Sequence, residues 1–349
     1  YQYEMPEQID DGFETASLIE VSMNEVKLSQ MMDYLNSRDD HRIHSIVILK
    51  DKKLVFEEYF DDYTYSNNPP GSNGPFTEFD REVDQYLASE TKSVTSLLVG
   101  IAIDKGFIGS VDDKVKDYFP AYDFMTGEKA DITIKDMLTM SSGLPFDETT
   151  YPYGDPRNGI YQLFTNSDPI RWVLEQDMDY APGTTFFYNS GTTNVLAAIV
   201  EESSNLFFYE FLDSYLLMPL GIQNEDYLLE VFSSGRSFAS GGLYMGTREL
   251  LKIGSLFLNN GYWGETQIIS DEWISESTFE HIETHGETVS PAHAYGYQWW
   301  IRDFNANGQT YSCFFSAGWG GQYMFIFPEQ DLIIQFYSGY FLTYEIVAP

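Results

Sequence analysis

The chain has 349 residues, of which 43% are hydrophobic and 17% aromatic, and 54 acidic against 19 basic residues give a formal net charge of −35. This length and composition predict a large core shared by two packed domains, and they exclude collagen-like and disordered proteins. The negative charge opposes binding to nucleic acid, to anionic membranes and to polyanionic substrates.

The first predicted elements follow an N-terminal extension, residues 1–40. Residues 43–60, "IHSIVILKDKKLVFEEYF", predict a β-hairpin whose two strands flank the polar turn Asp51-Lys52-Lys53. A long polar connection containing "SNNPPGSNGP" leads to a helix that begins near Ser89. This helix is apolar on all sides, which predicts a central position, and its apolar run 94–103 is too short to span a membrane.

Residues 106–235 have a mostly helical pattern. "ITIKDMLTMSSGL" predicts an amphipathic helix closed by Gly143, and "NSGTTNVLAAIVEESS" predicts a second helix. A further helix, "TRELLKIGSLFLNNG", follows residue 236 and stops at Gly261. We therefore expect residues 106–235 to form an inserted, all-helical domain.

The last hundred residues change to aromatic and β-branched runs separated by "NANG", "GWGG" and "PEQD", which predict an antiparallel meander. We expect the N-terminal hairpin to join the same sheet. The predicted fold class is a two-domain α/β (α+β) protein, with an antiparallel sheet flanked by helices in residues 1–105 and 236–349. A cleft between the domains is the expected site. Cys313 is the only cysteine, which excludes an intramolecular disulfide.

Ser89 and Lys92 are the first candidate catalytic pair. They lie three residues apart at the start of the central helix, so their side chains share one face, near the positive end of the helix dipole. Apolar surroundings would lower the pKa of the lysine and let its amine accept the serine proton. An ordinary helix N-terminus with an extended lysine explains the tetrad equally well at this point.

Longer motifs carry a family resemblance. "SETKSVTSLLVGIAIDKG", "ITIKDMLTMSSGL", "PGTTFFYNSGTTNVLAAIVEE" and "AGWGGQYMFIFPEQDLII" occur in the order typical of the serine beta-lactamase-like superfamily. The chain resembles its class C-type branch, which includes esterases, D-amino-acid peptidases and 6-aminohexanoate-dimer hydrolases. The resemblance spans roughly residues 40 to 340, and it implies the two-domain fold inferred above and a serine hydrolase activity.

The resemblance assigns roles to a tripeptide on the helical domain, Tyr188-Asn189-Ser190. It implies that Tyr188 relays a proton between Ser89, Lys92 and the leaving group, helped by a nearby cation that lowers the pKa of its phenol. It also implies that Ser190 hydrogen-bonds the substrate or the lysine. Without the neighbouring motif, Tyr188 would be an ordinary core or rim tyrosine.

A third motif departs from the family pattern. "AGWGGQ" stands where relatives have a Lys-Thr-Gly strand, so Gly318, Trp319 and Gly320 are expected to line the site edge. By resemblance, the backbone N–H groups of Trp319 and Ser89 form the oxyanion hole. The missing lysine lowers the expectation of beta-lactamase activity, since that lysine helps to hold the substrate carboxylate.

Aromatic residues complete the predicted site. By position, residues 144–168 resemble the family's loop over the active site, and Tyr151, Tyr153 and Trp299 are candidate pocket walls or plain structural aromatics. The "HIETH" stretch, residues 281–285, lacks the spacing of a zinc helix, and a G-x-S-x-G elbow is absent from the sequence.

The expected function is hydrolysis of small uncharged esters or amides through an acyl-enzyme, with no metal or organic cofactor. Esterase activity ranks first, amide, short-peptide or 6-aminohexanoate-oligomer hydrolysis second and beta-lactamase activity third. The alternative from another class is a non-catalytic member that binds a ligand in the same cleft. The expected partner is a small-molecule substrate, not nucleic acid or a membrane. The oligomeric state and the compartment stay open, with a periplasmic or secreted location expected.

Overall fold

A computed structural model describes residues 1–67, 70–285 and 292–341. The helices in these ranges are α1 (Glu25–Asn36), α2 (Thr91–Asp104), α3 (Ile134–Leu138), α4 (Gly159–Thr165), α5 (Pro169–Glu175), α6 (Ser190–Ser204), α7 (Phe208–Leu212), α8 (Thr247–Leu258) and α9 (Asp271–Ser277). The strands are β1 (Glu14–Thr15), β2 (Ile43–Lys50), β3 (Lys53–Tyr59), β4 (Asp62–Asn67), β5 (Pro70–Thr77), β6 (Gln85–Tyr86), β7 (Tyr227–Leu229), β8 (Leu243–Met245), β9 (Tyr262–Trp263), β10 (Thr266–Gln267), β11 (Ile282–Glu283), β12 (Ala294–Tyr295), β13 (Trp300–Ala306), β14 (Gln309–Gly318), β15 (Gln322–Phe327) and β16 (Leu332–Ser338).

The predicted hairpin and the predicted meander belong to one large sheet. Nine strands pair in the order β1-β3-β2-β16-β15-β14-β13-β12-β11, and each pair except β1–β3 is antiparallel. The hairpin closes on a two-residue turn because Asp51 and Lys52 both adopt positive φ, 51° and 62°. Both predictions are confirmed, as is the mixed α/β fold class.

The central helix is α2. All residues from Thr91 to Ala102 are buried, which confirms that the helix is enclosed on every side. A Cβ atom at Gly100 would collide with the ring of Trp273, so the glycine allows α9 to pack closely against α2. Among the described residues, the helices lack the combination of length and apolar character needed to cross a bilayer.

Helices α3 to α7 lie between residues 106 and 235, and α6 packs against α2. Helix α6 begins after Asn189, whose side chain accepts a hydrogen bond from the Thr192 N–H. Helix α3 is shorter than predicted, because Met140 adopts a positive φ of 56° and its carbonyl pairs with the N–H of Phe187. The predicted domain boundaries stay a prediction.

The stretch between the first hairpin and α2 contains strands that composition did not predict. Strands β4 and β5 pair in an antiparallel hairpin within the segment expected to be a polar connection. Tyr63 lies edge-on to Phe76 at 5.4 Å between ring centroids, and Tyr65 stacks on Tyr86 at 4.2 Å. The first ring contact lies within the β4–β5 pair and the second joins β4 to β6, and both stabilise strands in an otherwise polar segment.

Candidate active site

Ser89 lies on a short 3-10 turn, Ala88–Glu90, that runs directly into α2. Ala88 adopts a positive φ of 48°, an unfavourable conformation for a residue with a Cβ atom. The end of β14 lies against this turn, since a Cβ atom at Gly318 would collide with the carbonyl oxygen of Leu87. The turn is therefore held in a specific, strained conformation next to Trp319.

Lys92 lies beside the serine. Its Nζ is 2.8 Å from Ser89 Oγ and 2.8 Å from the carbonyl oxygen of Ser240, and the residue is only 2% exposed. Burial lowers the pKa of Lys92 to about 8, and the carboxylate of Glu148 opposes that shift. A substantial fraction of the amine is therefore neutral near pH 8 and can accept a proton.

Tyr188 completes the cluster. Lys92 Nζ lies 4.9 Å from the centroid of the Tyr188 ring, which stacks on Trp300 with centroids 5.7 Å apart. Burial and the charge of Glu148 raise the pKa of Tyr188 well above its usual value, although a hydrogen bond with Ser89 opposes the rise. The expectation of a lowered phenol pKa is wrong, because desolvation and the charge of Glu148 outweigh the hydrogen bond with Ser89.

Glu148 is a buried carboxyl group that sequence reasoning missed. Its oxygens accept hydrogen bonds from the N–H (2.9 Å) and the hydroxyl (2.6 Å) of Ser190. Burial raises the pKa of Glu148, and the charge of Lys92 and the Ser190 hydrogen bonds oppose the rise. The Ser190 hydroxyl therefore donates its proton to Glu148, and a hydrogen bond of Ser190 with the substrate or the lysine stays a prediction.

A cavity of about 440 Å³ opens beside Ser89. This size suits a small organic ligand. Much of its wall comes from the segment 144–168, as the position of that segment suggested. The described lining comprises Tyr65, Tyr86, Ala88, Ser89, Glu148, Tyr153, Gly154, Ile160, Tyr161, Phe164, Thr165, Ser190, Glu230, Phe238, Ser240, Gly241 and Trp319.

Four predicted substrate-binding residues lie outside this lining. Trp299 is 1% exposed and packs on Phe257 in the core, because consecutive side chains point to opposite faces and Trp300 takes the site-facing position.

The other three have different structural partners. Tyr151 packs under the guanidinium of Arg157, 3.9 Å from its ring centroid. Gly318 and Gly320 serve close backbone packing: the first contacts the turn at Leu87, and the second leaves room for the ring of Phe341. The glycines therefore shape the site edge without lining the cavity.

Residues 281–285 do not form a helix. Their two strand residues belong to β11, and the ring of His281 stacks on Tyr297 with centroids 4.2 Å apart. Throughout the described ranges, His, Cys, Asp and Glu side chains form no group that could hold a metal ion.

Comparisons with known proteins identify the family of this chain. The sequence model of the family described as Beta-lactamase matches residues 36–341. A 6-aminohexanoate-dimer hydrolase of Paenarthrobacter ureafaciens is 28% identical over an alignment of 267 residues that covers 71% of this chain and 64% of that protein. Penicillin-binding protein 4* of Bacillus subtilis (strain 168) is 23% identical over 67% of this chain and 55% of its own length. The chain thus spans less than two thirds of each of these relatives.

Solved structures share the fold. A family VIII carboxylesterase superposes with a TM-score of 0.69 at 16% identity, covering 90% of both chains. An octameric penicillin-binding protein homologue from Pyrococcus abyssi superposes with a TM-score of 0.67 at 22% identity, covering 91% of this chain and 74% of its own. From the family match over residues 36–341, the chain is a member of the Beta-lactamase family.

Proposed function

We propose that this protein is a serine hydrolase that cleaves small ester bonds, with Ser89 as nucleophile and Lys92 as general base. The observation that carries the proposal is the 2.8 Å contact between Ser89 Oγ and a buried amine whose pKa is lowered to about 8. A charged, fully solvated lysine could not accept the serine proton, whereas a desolvated one can.

In the first half-reaction, neutral Lys92 takes the proton of the Ser89 hydroxyl as Oγ attacks the substrate carbonyl. The resulting oxyanion receives hydrogen bonds from the backbone N–H groups of Ser89 and Trp319, as the family resemblance implies. Tyr188 keeps its phenolic proton at neutral pH, because its pKa is raised, and it donates that proton to the leaving group. Lys92 then returns a proton to the tyrosine, leaving an acyl-serine ester.

In the second half-reaction, water attacks the acyl carbonyl. Lys92, neutral again after the first half-reaction, accepts the water proton directly or through Tyr188. The tetrahedral intermediate collapses, Ser89 recovers its proton and the acid product leaves.

The ranking of substrates rests on the third motif, where this chain differs from the Lys-Thr-Gly pattern of the family. Because "AGWGGQ" supplies no lysine, and the described cavity lining includes Glu148 and Glu230, a substrate carboxylate is disfavoured. We therefore place esters first, the substrate class that the name of the carboxylesterase neighbour gives, and amides second, a class suggested by the 6-aminohexanoate-dimer hydrolase relative. Beta-lactams, which carry a carboxylate, rank third.

The proposal is tested with p-nitrophenyl butyrate, a chromogenic cephalosporin and the 6-aminohexanoate dimer. We expect p-nitrophenyl butyrate to be cleaved fastest, and Ser89→Ala to lower kcat by roughly 10⁴-fold or more. Ser96→Ala is the matched control: Ser96 is buried in the same helix, and among the described residues its hydroxyl has no hydrogen-bond partner, so full activity is expected.

Activity that survives in Ser89→Ala would refute the serine mechanism. A folded wild-type protein that cleaves none of the three substrates would instead favour the non-catalytic binding member.

A further inference from the structure

Glu90 is a buried acidic residue that the catalytic mechanism does not use. It directly follows the nucleophile Ser89 and is 1% exposed. Its Oε1 accepts a hydrogen bond from the hydroxyl of Ser316 at 2.6 Å, and within the described ranges its Oε2 has no hydrogen-bond partner. A charged carboxylate with a single hydrogen bond is costly to bury, so this environment favours the neutral acid.

The ionisable groups near Glu90 do not compensate a negative charge on it. Tyr323 of β15 and Tyr337 of β16 lie within range of that charge, and burial together with the charge raises the pKa of both phenols. The amine of Lys92 contacts the nucleophile and a backbone carbonyl, not this carboxyl group. Burial raises the pKa of Glu90 to about 8, and the hydrogen bond from Ser316 opposes the rise only in part. Glu90 is therefore mostly protonated at neutral pH.

The hydrogen bond between Glu90 and Ser316 joins two segments that lie 226 residues apart in the chain. Ser316 belongs to β14, which ends at Gly318, directly before Trp319. The two expected oxyanion-hole donors, the N–H groups of Ser89 and Trp319, are therefore carried by the two segments that this hydrogen bond joins. A shift of the Ser89 turn relative to β14 would change the spacing of the donors, and the rate depends on that spacing.

We propose that Glu90 is a positioning residue: as a neutral carboxyl group it holds the Ser89 turn against β14 and so fixes the spacing of the two oxyanion-hole N–H groups. This inference rests on the proposed hydrolase function. It assigns a role to a residue that acts through the turn, since the described lining of the cavity includes Ala88 and Ser89 but not Glu90. The position needs an acceptor for the hydroxyl of Ser316 and no charge.

Three variants, assayed with p-nitrophenyl butyrate at pH 7, separate the hydrogen bond from the charge. Glu90→Gln keeps an oxygen that can accept from Ser316, so we expect its kcat to stay within about twofold of the wild type. Glu90→Leu has a similar size and no acceptor, and Ser316→Ala removes the donor. We expect each of these two variants to lower kcat roughly 10- to 100-fold with little change in KM, because the oxyanion forms only after the substrate has bound.

Two further variants control for other causes. The double variant Glu90→Leu/Ser316→Ala should lose no more activity than either single variant, because both substitutions break the same hydrogen bond. Ser255→Ala is the matched control for Ser316→Ala. Ser255 is also 1% exposed, and its hydroxyl donates to the carbonyl of Lys252 inside α8, so we expect its kcat to match that of the wild type.

Urea unfolding gives a readout that does not depend on activity. The folded protein keeps the Glu90 proton up to about pH 8, whereas an unfolded glutamate loses it near pH 4.5. The wild-type free energy of unfolding should therefore fall relative to that of Glu90→Gln as the pH rises from 4.5 to 8, and the difference should stay constant above pH 8. Glu90→Leu should be at least as stable as the wild type at pH 7, because an apolar chain replaces a buried carboxyl group with one hydrogen bond. A lower kcat without lower stability distinguishes positioning from a purely structural role.

A wild-type kcat in Glu90→Leu would overturn the inference. Equal losses of kcat in Glu90→Gln and Glu90→Leu would also overturn it, because the hydrogen bond to Ser316 would then not be the feature that matters. If the difference in unfolding free energy between the wild type and Glu90→Gln does not change with pH, Glu90 is charged in the folded protein and the inference is wrong. A wild-type protein that cleaves no ester would count against the proposed function itself, and the unfolding series would still determine the charge state of Glu90.

Discussion

Two buried cations of this protein behave in opposite ways. Lys92 and Arg248 are each 2% exposed. Burial lowers the pKa of Lys92 to about 8. Burial alone would lower the pKa of Arg248 as well, but its hydrogen bonds to Glu57 and Asp11 raise it instead.

The difference lies in the partners. Arg248 makes two contacts with the carboxylate of Glu57, at 2.8 and 2.5 Å, and one with Asp11 at 2.8 Å. Lys92 contacts a hydroxyl and a carbonyl oxygen, and the carboxylate of Glu148 acts on it only at longer range. The two side chains are equally buried, but they differ in charge state. Arg248 keeps a permanent charge that links α8 to β3 and the N-terminal segment, whereas Lys92 is a titratable amine beside Ser89.

Of the three substitutions that test this comparison, Lys92→Met should have the largest effect. Loss of the proton acceptor should lower kcat for p-nitrophenyl butyrate by roughly 10³–10⁴-fold. The fold should persist, because a buried amine without a direct carboxylate partner is replaced by an apolar chain of similar length.

Urea unfolding of the wild type and of Lys92→Met at several pH values separates the effect of the substitution on catalysis from its effect on stability. Because the folded pKa of about 8 lies below the ordinary 10.5, the unfolded chain binds the lysine proton more tightly, and the wild-type free energy of unfolding should rise between those pH values. The Met variant should lack this rise. A variant that keeps the activity would contradict the role of the amine.

Arg248→Met should lower stability and leave activity almost unchanged, the opposite of what is expected for Lys92→Met. It leaves Glu57 and Asp11 without their cation, so we expect the free energy of unfolding to fall by about 3–5 kcal/mol. The kcat of the remaining folded protein should change little, since Arg248 does not line the cavity.

Chemical denaturation of Arg171→Met is the matched control. Arg171 forms an exposed i,i+4 pair with Glu175, so its removal should lower the free energy of unfolding far less than Arg248→Met does. If Arg248→Met and Arg171→Met lose the same free energy of unfolding, the buried ion pairs of Arg248 stabilise the fold no more than an exposed pair does.

Glu148→Gln should give the smallest of the three effects. It tests whether the carboxylate of Glu148 influences the pKa of Lys92. In the wild type, kcat/KM should increase with pH through about 8, where the amine loses its proton. Removing the carboxylate that opposes the lowered pKa should move this increase to lower pH by roughly one unit.

The pH profile of Asp147→Asn provides the comparison. Asp147 is the neighbouring exposed acid, and its Oδ1 accepts from the N–H groups of Thr149 and Thr150, which an asparagine can preserve. We expect its profile to match that of the wild type. An unshifted profile in Glu148→Gln would exclude Glu148 as a source of the charge effect.

The sequence was informative where the structure depends on near neighbours. The β2–β3 hairpin follows from two short apolar runs around a polar turn, and the contact of Ser89 with Lys92 follows from a spacing of three residues. The same reasoning failed for Trp299, because two adjacent tryptophans differ only in the face to which each points.

By itself, the sequence determined the central buried helix, the antiparallel meander, the Ser89–Lys92 pair and the absence of a lysine at the third motif. Tertiary structure alone decided that Ser240 supplies an acceptor to Lys92 across 148 residues and that Glu148 reaches Ser190 across 42. The physical reason is that a pKa depends on the solvent and charges around a group, and chain segments far apart in sequence provide both.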